Sequence, residues 1–266
     1  MFIPLKDYNP TRRTAVVVIL LIALNVSVFV YQAYLSREHL RHPLRAADLR
    51  PLEWPSSLAY HVIKDGLVPA ELVRLRSAVL PVGRDRWNET IVYRRQVSPP
   101  LSLLYSLFMH GSWLHLLGNM LFLWIFGNNI EDRLGRIRFV MFYLLCGAGA
   151  SLVHVLFNLN SLVPVIGASG AVSGVMGAYL ALFPTARVRT LVFIFLFVTT
   201  MDVPASVFLA IWFIFQFLSA GGGSGIAWLA HVGGFIMGFL LVKLFLNGRK
   251  PVLVVESRSD STGEES

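Results

Sequence analysis

Long apolar runs constrain the fold of this chain more than any other feature. A helix needs roughly 20 apolar residues to cross the hydrocarbon core of a bilayer, and six runs are near or above that length. They occupy residues 15–35, 101–127, 139–160, 163–183, 204–220 and 226–246. Only 14% of the 266 residues are charged, against about 25% in a soluble domain. The sequence therefore predicts an all-α polytopic membrane protein with a bundle of six transmembrane helices, spanning residues 15–246.

A seventh apolar run, 190–198, is too short to cross a bilayer and ends in polar residues and Pro204. This run is predicted to lie at the interface or to be re-entrant. The first run is about 21 residues long and no cleavage site follows it, so it is predicted to be a retained span rather than a signal peptide. Cys146 is the only cysteine, which excludes a disulfide framework within the chain.

The basic residues predict the orientation, since short inner loops carry an excess of Lys and Arg. With the N-terminus inside, the short outer loops near 159–166 and 219–226 contain no Lys or Arg. Twelve of the 23 basic residues then lie inside: Lys6, Arg12, Arg13, Arg133, Arg136, Arg138, Arg187, Arg189, Lys243, Arg249, Lys250 and Arg258. Both termini are therefore predicted inside, with residues 1–14 as a cytoplasmic N-terminus and 247–266 as a disordered cytoplasmic tail.

The other eleven basic residues lie in the long loop 36–100, whose length makes its charge a weak guide to orientation. Seven prolines divide this loop, and apolar residues in 49–60 predict a segment that skims the membrane; the alternative is a solvated linker. Because the charge follows the topology, the net +8 does not indicate a nucleic-acid partner. An integral multi-pass protein of compact size without a transit peptide is expected in a bacterial inner membrane.

Polar side chains inside the apolar runs mark the candidate site, because ionisable and amide groups are costly in lipid. His115 and Asn119 lie four residues apart and share one face of a helix. If that helix begins near Tyr105, His115 lies about 15 Å along it. His110 would then lie about 140° around the axis from His115 and serve a different neighbour.

A Ser and a His stand at matching positions in two other runs. Ser169 follows an irregular stretch that ends in Gly167, so a helix is predicted to start at or near the serine. His231 lies about 8 Å below the start of its own run. With His115, both are compatible with one cavity open to the outside, where a nucleophile and its base could meet.

Small residues line the two helices that would carry this pair. They are spaced three or four apart, at Gly170, Gly174 and Gly177 on one helix and at Ala230, Gly234 and Gly238 on the other. Such stripes let helix backbones pack closely in lipid. Close packing is needed for a hydrogen bond of about 2.6–3.2 Å between a serine hydroxyl and a histidine ring.

The sequence lacks the residues that other classes of protease require. A zinc protease would need His-Glu-x-x-His or a comparable ligand set, which the chain does not contain. An intramembrane aspartyl protease needs two buried aspartates, and the apolar stretches offer only Asp202. The soluble nucleophile elbow Gly-x-Ser-x-Gly fails at Ala171. No metal or cofactor is therefore expected.

Three motifs together resemble the rhomboid family of intramembrane serine proteases. They are His110-x4-His115-x3-Asn119, Gly-Ala-Ser-Gly at 167–170, and Ala-His-x-Gly-Gly at 230–234. The resemblance covers about residues 100–246, including the inner-loop stretch 131–135. It implies substrates with a transmembrane segment, and it implies that the fifth span and a cap at 219–226 control substrate access.

Carried over residue by residue, the resemblance implies Ser169 as nucleophile and His231 as general base. His115, Asn119 and the Ser169 backbone N–H would stabilise the oxyanion, and His110 would be structural. Glu131 and Arg133 would form a structural ion pair in the inner loop. Some members place an aromatic residue one turn after the nucleophile to stack on the base, whereas this chain has Ser173 there, so the sequence leaves open what orients His231.

Two other functions remain open at this stage. A catalytically inactive relative would bind membrane clients without cutting them, although such relatives typically lack the serine or the histidine. A transporter or channel would use His115, Asn119 and His231 as a polar path, although no ionisable residue in the inner half completes it. Neither the substrate nor the oligomeric state can be deduced from the sequence.

Overall fold

The computed structural model describes residues 2–41, 57–77, 79–84, 90–194, 197–219 and 227–246. Its helices are α1 (Val16–Arg41), α2 (Ser57–Asp65), α3 (Pro69–Arg74), α4 (Pro99–Ser106), α5 (Trp113–Leu134), α6 (Arg136–Leu156), α7 (Ser169–Leu182), α8 (Ala205–Ser219) and α9 (Trp228–Phe245). Its strands are β1 (Phe2–Asp7), β2 (Val79–Arg84), β3 (Thr90–Arg94), β4 (Arg187–Ile194) and β5 (Phe197–Pro204).

The protein is mostly helical, and in the described part of the chain three helices have the length and hydropathy of a membrane span. These are α1 (over Val16–Leu35), α6 and α9. The helices α7 and α8 are apolar but shorter, and α5 has 22 residues. The predicted cap at 219–226 and tail at 247–266 lie almost wholly outside the described residues, as does most of the apolar segment 49–60.

The predicted span 101–127 is divided into two helices. The first, α4, begins at two prolines and ends at Ser106. The second, α5, begins at Trp113 because the Ser112 side chain caps it, accepting a hydrogen bond of 3.1 Å from the backbone N–H of His115. His115 therefore lies in the first turn of α5, and the expected depth of about 15 Å was wrong.

The expectation of an all-α chain was incomplete, because a three-stranded antiparallel sheet ordered β1-β4-β5 packs on the bundle. Residues 190–194 of the seventh apolar run lie in β4 and residues 197–198 lie in β5, which pair antiparallel. In β4 the exposed Arg187 and Arg189 alternate with the buried Val188 and Thr190. This alternation has the period of a half-buried strand, which the apolar content of the run concealed.

The described part of the first loop is folded against the bundle, which does not fit a solvated linker. Arg95 is the centre of this packing: its Nη1 lies 2.6 Å from Glu71 Oε2, and both side chains are fully buried. The same guanidinium donates to the backbone oxygens of Lys64, at 3.3 Å, and of Gly66. A single antiparallel bridge between Leu67 and Val165 joins the loop to the segment that precedes α7.

The helices α7 and α9 touch backbone to backbone. A Cβ atom on Gly234 would collide with the carbonyl oxygen of Gly170, and one on Gly238 with that of Gly174. A Cβ on Gly177 would likewise collide with the carbonyl of Phe235. Small residues are what such close packing requires.

At the opposite end of the bundle from Ser169, buried carboxylates receive hydrogen bonds. Glu131 accepts from the backbone N–H groups of Val17, at 3.0 Å, and Val18, at 2.9 Å, and so caps α1. The expected ion pair between Glu131 and Arg133 was therefore wrong: within the described residues, Arg133 forms no salt bridge with Glu131. A helix N-terminus attracts a carboxylate because its first N–H groups lack intrahelical acceptors.

Asp7, the last residue of β1, connects the sheet to two helices. Its Oδ2 accepts from Asn129 Nδ2 of α5 at 2.6 Å and from the Tyr179 hydroxyl of α7 at 3.0 Å. Burial raises the pKa of Asp7, and the two hydrogen bonds partly offset that effect. The N-terminal strand thereby holds the end of α7 that lies farthest from Ser169.

Candidate active site

A cavity of about 1040 Å³ opens where α5, α7 and α9 begin. Its walls come from six helices, α2 and α5 to α9, and from the irregular segment 161–166 before α7. Four residues singled out by the sequence line it: His115, Asn119, Ser169 and His231. The starts of the helices therefore bring these side chains together.

Ser169 and His231 are in hydrogen-bond contact. Ser169 is the first residue of α7, as its sequence predicted, and His231 is the fourth of α9. The distance between Ser169 Oγ and His231 Nε2 is 2.8 Å. The backbone contact between α7 and α9 makes this distance possible for two short side chains.

The other ring nitrogen of His231 has a partner that the sequence reasoning missed. His231 Nδ1 lies 2.7 Å from Gln216 Oε1 of α8. Gln216 is buried, and it is the only amide in α8 (ASVFLAIWFIFQFLS). Its isolation in an apolar helix was the signal that could have identified it.

A second residue of α8 lies beside the ring of His231, which has no aromatic residue one turn after Ser169 to stack on it. The Trp212 ring lies 6.1 Å from the His231 ring, tilted by 36°. Ser173, at the position of that missing aromatic residue, instead donates its hydroxyl to the Ser169 backbone carbonyl at 2.6 Å. Trp212 and Gln216 of α8 therefore flank His231.

Hydrogen-bond donors surround the position next to Ser169. Asn119 Nδ2 is buried and has no hydrogen-bond partner among the described residues. The Ser169 backbone N–H belongs to the first turn of α7, where N–H groups lack intrahelical acceptors. An unpaired buried donor costs free energy, so an acceptor entering the cavity would relieve this cost.

Gly167 keeps the space between these donors open. Its φ of +124° is one that side-chain-bearing residues rarely adopt. A Cβ there would lie 2.8 Å from Cε1 and Nε2 of the His115 ring and 3.5 Å from Ser169 Oγ. The sequence Gly-Ala-Ser-Gly therefore needs its first glycine as well as its serine.

His110 contacts His115, which corrects the expectation that the two serve different neighbours. The ring centroids are 5.0 Å apart at an interplanar angle of 69°. His110 precedes α5 and lies on no helix with His115, so the predicted angle around a helix does not apply. His110 is fully buried, and its backbone N–H donates to Gln32 of α1 at 3.3 Å.

His154 and Asn158, at the end of α6, also line the cavity and were not anticipated. Asn158 Nδ2 donates to the His154 carbonyl at 2.9 Å. Within the described ranges, no group of three His, Cys, Asp or Glu side chains is placed to hold a metal ion. The cavity instead brings together a hydroxyl, an imidazole and amide donors.

Comparison with known proteins gives the same class as the motifs. The family model of the Rhomboid domain matches residues 97–248. The chain belongs to the rhomboid family. Membership supports an integral membrane protein.

Among its relatives is Rhomboid protein 1, mitochondrial, of Saccharomyces cerevisiae, 32% identical over 159 residues, which are 56% of this chain and 43% of that protein. RHOMBOID-like protein 4 of Arabidopsis thaliana is 37% identical over 145 residues, 52% of this chain and 32% of that protein. Presenilin-associated rhomboid-like protein A, mitochondrial, of Danio rerio is 35% identical over 89 residues, 33% of this chain and 23% of that protein. The match thus spans less than half the length of each of these relatives.

Proposed function

We propose that this chain is an intramembrane serine endopeptidase that hydrolyses peptide bonds in or near transmembrane segments of other membrane proteins. The observation that carries the proposal is the 2.8 Å contact between Ser169 Oγ and His231 Nε2, inside a cavity of an apolar helix bundle. A hydroxyl in contact with an imidazole is the arrangement of an activated nucleophile.

In the proposed reaction, Ser169 Oγ attacks the scissile carbonyl carbon while its proton passes to His231 Nε2. The developing oxyanion accepts hydrogen bonds from Asn119 Nδ2, the Ser169 backbone N–H and the His115 ring. One donor of this kind typically contributes about 10²–10³ in kcat. Asn119 supports this role because it is buried with its donor unpaired.

Collapse of the tetrahedral intermediate breaks the carbon–nitrogen bond, and the His231 proton goes to the leaving amine. Water then attacks the acyl-enzyme, losing its proton to His231, and the second collapse frees the acid and restores Ser169. The amine leaves with the proton that came from Ser169, and the attacking water supplies the proton that restores the serine. The enzyme ends as it began, so the steps require neither a metal ion nor a cofactor.

We place the chain in the membrane with six spans, both termini inside and the cavity open to the outer face. The three helices long enough to span, the two shorter apolar helices and the 22-residue α5 support this arrangement. Single-span or other transmembrane proteins are the proposed substrates, lipids surround the bundle, and no nucleic acid is involved. The bacterial inner membrane stays a prediction that the eukaryotic relatives named above do not support.

A fluorophosphonate probe tests the proposal on purified protein. Ser169 Oγ would bond to phosphorus, fluoride would leave, and the hydroxyl proton would pass to His231. We expect wild type to be labelled and Ser169→Ala and His231→Ala to be unlabelled. The matched control is Ser173→Ala, one turn along the same helix, which should retain labelling.

Cleavage of a single-span reporter protein, mapped by mass spectrometry, completes this test. Wild type labelled no more than Ser169→Ala would contradict the proposal. That result would favour the alternative, a catalytically inactive relative that binds membrane clients.

A further inference from the structure

Among the described residues, Gln216 of α8 is the side chain in hydrogen-bond contact with Nδ1 of His231, the ring nitrogen that faces away from Ser169. We infer that Gln216 is a positioning residue that fixes the tautomer of His231, so that the competence of the base depends on where α8 lies. The inference rests on the proposed function, because it assigns the device that readies the same base for the same reaction.

The hydrogen bonds of Gln216 determine which tautomer is favoured. Gln216 Nε2 donates to the backbone carbonyl of Trp212 at 3.0 Å, and a carbonyl can only accept. The amide oxygen of Gln216 therefore faces His231 Nδ1, at 2.7 Å. Since that oxygen can also only accept, Nδ1 must carry the proton.

With the proton on Nδ1, the lone pair of neutral His231 is on Nε2, which faces Ser169 Oγ. The serine hydroxyl can then donate to Nε2, as a nucleophile must before its base removes the proton. In the opposite tautomer, Nε2–H would point at the serine and could not accept its proton. One continuous chain of hydrogen bonds thus runs from the Trp212 carbonyl to the nucleophile.

The two ends of this series of hydrogen bonds are held by different kinds of helix packing. Ser169 and His231 lie on α7 and α9, whose glycines bring the backbones into contact. Near Gln216, α8 meets α9 through aromatic side chains, with the Trp212 and Phe213 rings 5.9 Å and 5.0 Å from the Phe235 ring. A shift of α8 would therefore release His231 Nδ1 while leaving the Ser169–His231 spacing in place.

Two substitutions of similar size distinguish the role of Gln216 as a hydrogen-bond acceptor for Nδ1–H from its role in packing. Gln216→Met keeps the length of the side chain but removes the acceptor, whereas Gln216→Glu keeps an acceptor. At metal sites, loss of a partner that fixes a histidine tautomer typically costs about 10–100-fold in metal affinity or activity. We expect the rate of fluorophosphonate labelling to fall at least about 10-fold in Gln216→Met and to be retained in Gln216→Glu.

The pH profile of the labelling rate is a readout that a merely structural residue would not move. A carboxylate beside Nδ1 stabilises the imidazolium form, and only the neutral form acts as a base. The acid limb of the profile should therefore shift to higher pH in Gln216→Glu. Gln96→Met, the same substitution at an exposed residue, should match wild type in rate and profile.

Several outcomes would overturn the inference. One is a Gln216→Met variant that is labelled as fast as wild type; another is equal loss in the Met and Glu variants, which would mean that Gln216 acts through packing. Should Gln216→Met not fold, an unmoved acid limb in Gln216→Glu would overturn it alone. Wild type without labelling at Ser169 is a different result, since it would contradict the proposed function itself.

Discussion

At the scale of single residues, Gly167 shows how closely the cavity is fitted around the proposed oxyanion position. Its backbone carries a positive φ, and a Cβ here would crowd the His115 ring on the side that faces Ser169. A methyl group at this position would lie 2.8 Å from two ring atoms, which is too close, so the ring or the backbone would have to shift. Both the backbone and the ring therefore depend on the absence of one side chain.

We expect Gly167→Ala to reduce the rate of fluorophosphonate labelling by about 10²-fold, since displacing the His115 ring removes a donor from the oxyanion. The matched control is Gly118→Ala, because Gly118 lines the same cavity and a Cβ there would meet nothing within 4 Å. Labelling rates of the two variants, measured on folded protein, check this prediction. Equal rates in Gly167→Ala and wild type would exclude a role for the His115 position.

At the scale of elements, the starts of the helices organise both ends of the bundle. The first turns of α5 and α7 bring His115 and Ser169 to the cavity, and the first turn of α1 binds the carboxylate of Glu131. Each start offers N–H groups without intrahelical acceptors. Glu131 satisfies those of α1 and Ser112 caps α5, whereas the first N–H groups of α7 have no side-chain cap and can bind a reacting group.

Glu131→Gln should lower the free energy of unfolding by about 1–3 kcal/mol, because an amide NH₂ would face one of the two buried N–H groups and leave it unpaired. Asp132→Asn is the matched control: Asp132 accepts from the backbone N–H of Arg12 at 3.2 Å in an exposed contact, where water can substitute. Denaturant titration in mixed micelles measures the free energy of unfolding of both variants. A Glu131→Gln variant no less stable than Asp132→Asn would contradict the capping role.

At the scale of the whole molecule, the cavity around Ser169 and the β1-β4-β5 sheet lie at opposite ends of α7. Ser169 begins this helix, and Tyr179 in its last turns donates to Asp7 of the sheet. The sheet therefore holds the helix that carries Ser169 at the end farthest from the cavity.

The raised pKa of Asp7 predicts a pH-dependent stability. Burial favours the protonated acid in the folded state, so this contribution is fully present below the ordinary pKa of 3.8 and declines as pH rises through the folded value. Asp7→Asn can keep both hydrogen bonds without the charge. The melting temperature of Asp7→Asn should therefore rise relative to that of wild type as pH rises above about 4.

Asp202 provides a control of opposite sign for the same measurement. Hydrogen bonds from Arg189 lower the pKa of this exposed carboxyl, so its contribution is present above the ordinary value and is lost as pH falls. The melting temperature of Asp202→Asn should therefore not rise relative to that of wild type as pH rises. A difference between Asp7→Asn and wild type that stays constant with pH would contradict the role assigned to Asp7.

Much of the helical fold and the candidate site could be predicted because lipid makes polar residues conspicuous. Ser169 and His231 stood out as polar groups among apolar neighbours, and the spacing of Gly234 and Gly238 indicated a close helix contact. The same reasoning applied to Gln216, but an amide carries no familiar reactivity, and it was overlooked. The sequence held the signal that would have explained how His231 is oriented.

Other features depend on contacts that periodicity does not reveal. The sheet was missed because β4 is rich in apolar residues and pairs with β1, at the other end of the sequence. The break before Trp113 follows from the Ser112 cap, which an apolar run conceals. Glu131 pairs with the backbone of α1 rather than with the nearby Arg133, because burial at a helix N-terminus outweighs proximity in sequence.

The pairing of β1 with β4 also has a consequence for the order in which the protein is made. Synthesis runs from the N-terminus, so β1 leaves the ribosome before β4, which follows only after α1 through α7 have been translated. Until then β1 has no strand to pair with in this sheet, and Asp7 can bind Asn129 of α5 but not Tyr179 of α7. Closure of the sheet is therefore a late event in biogenesis, possible only once the helix bearing Ser169 has emerged.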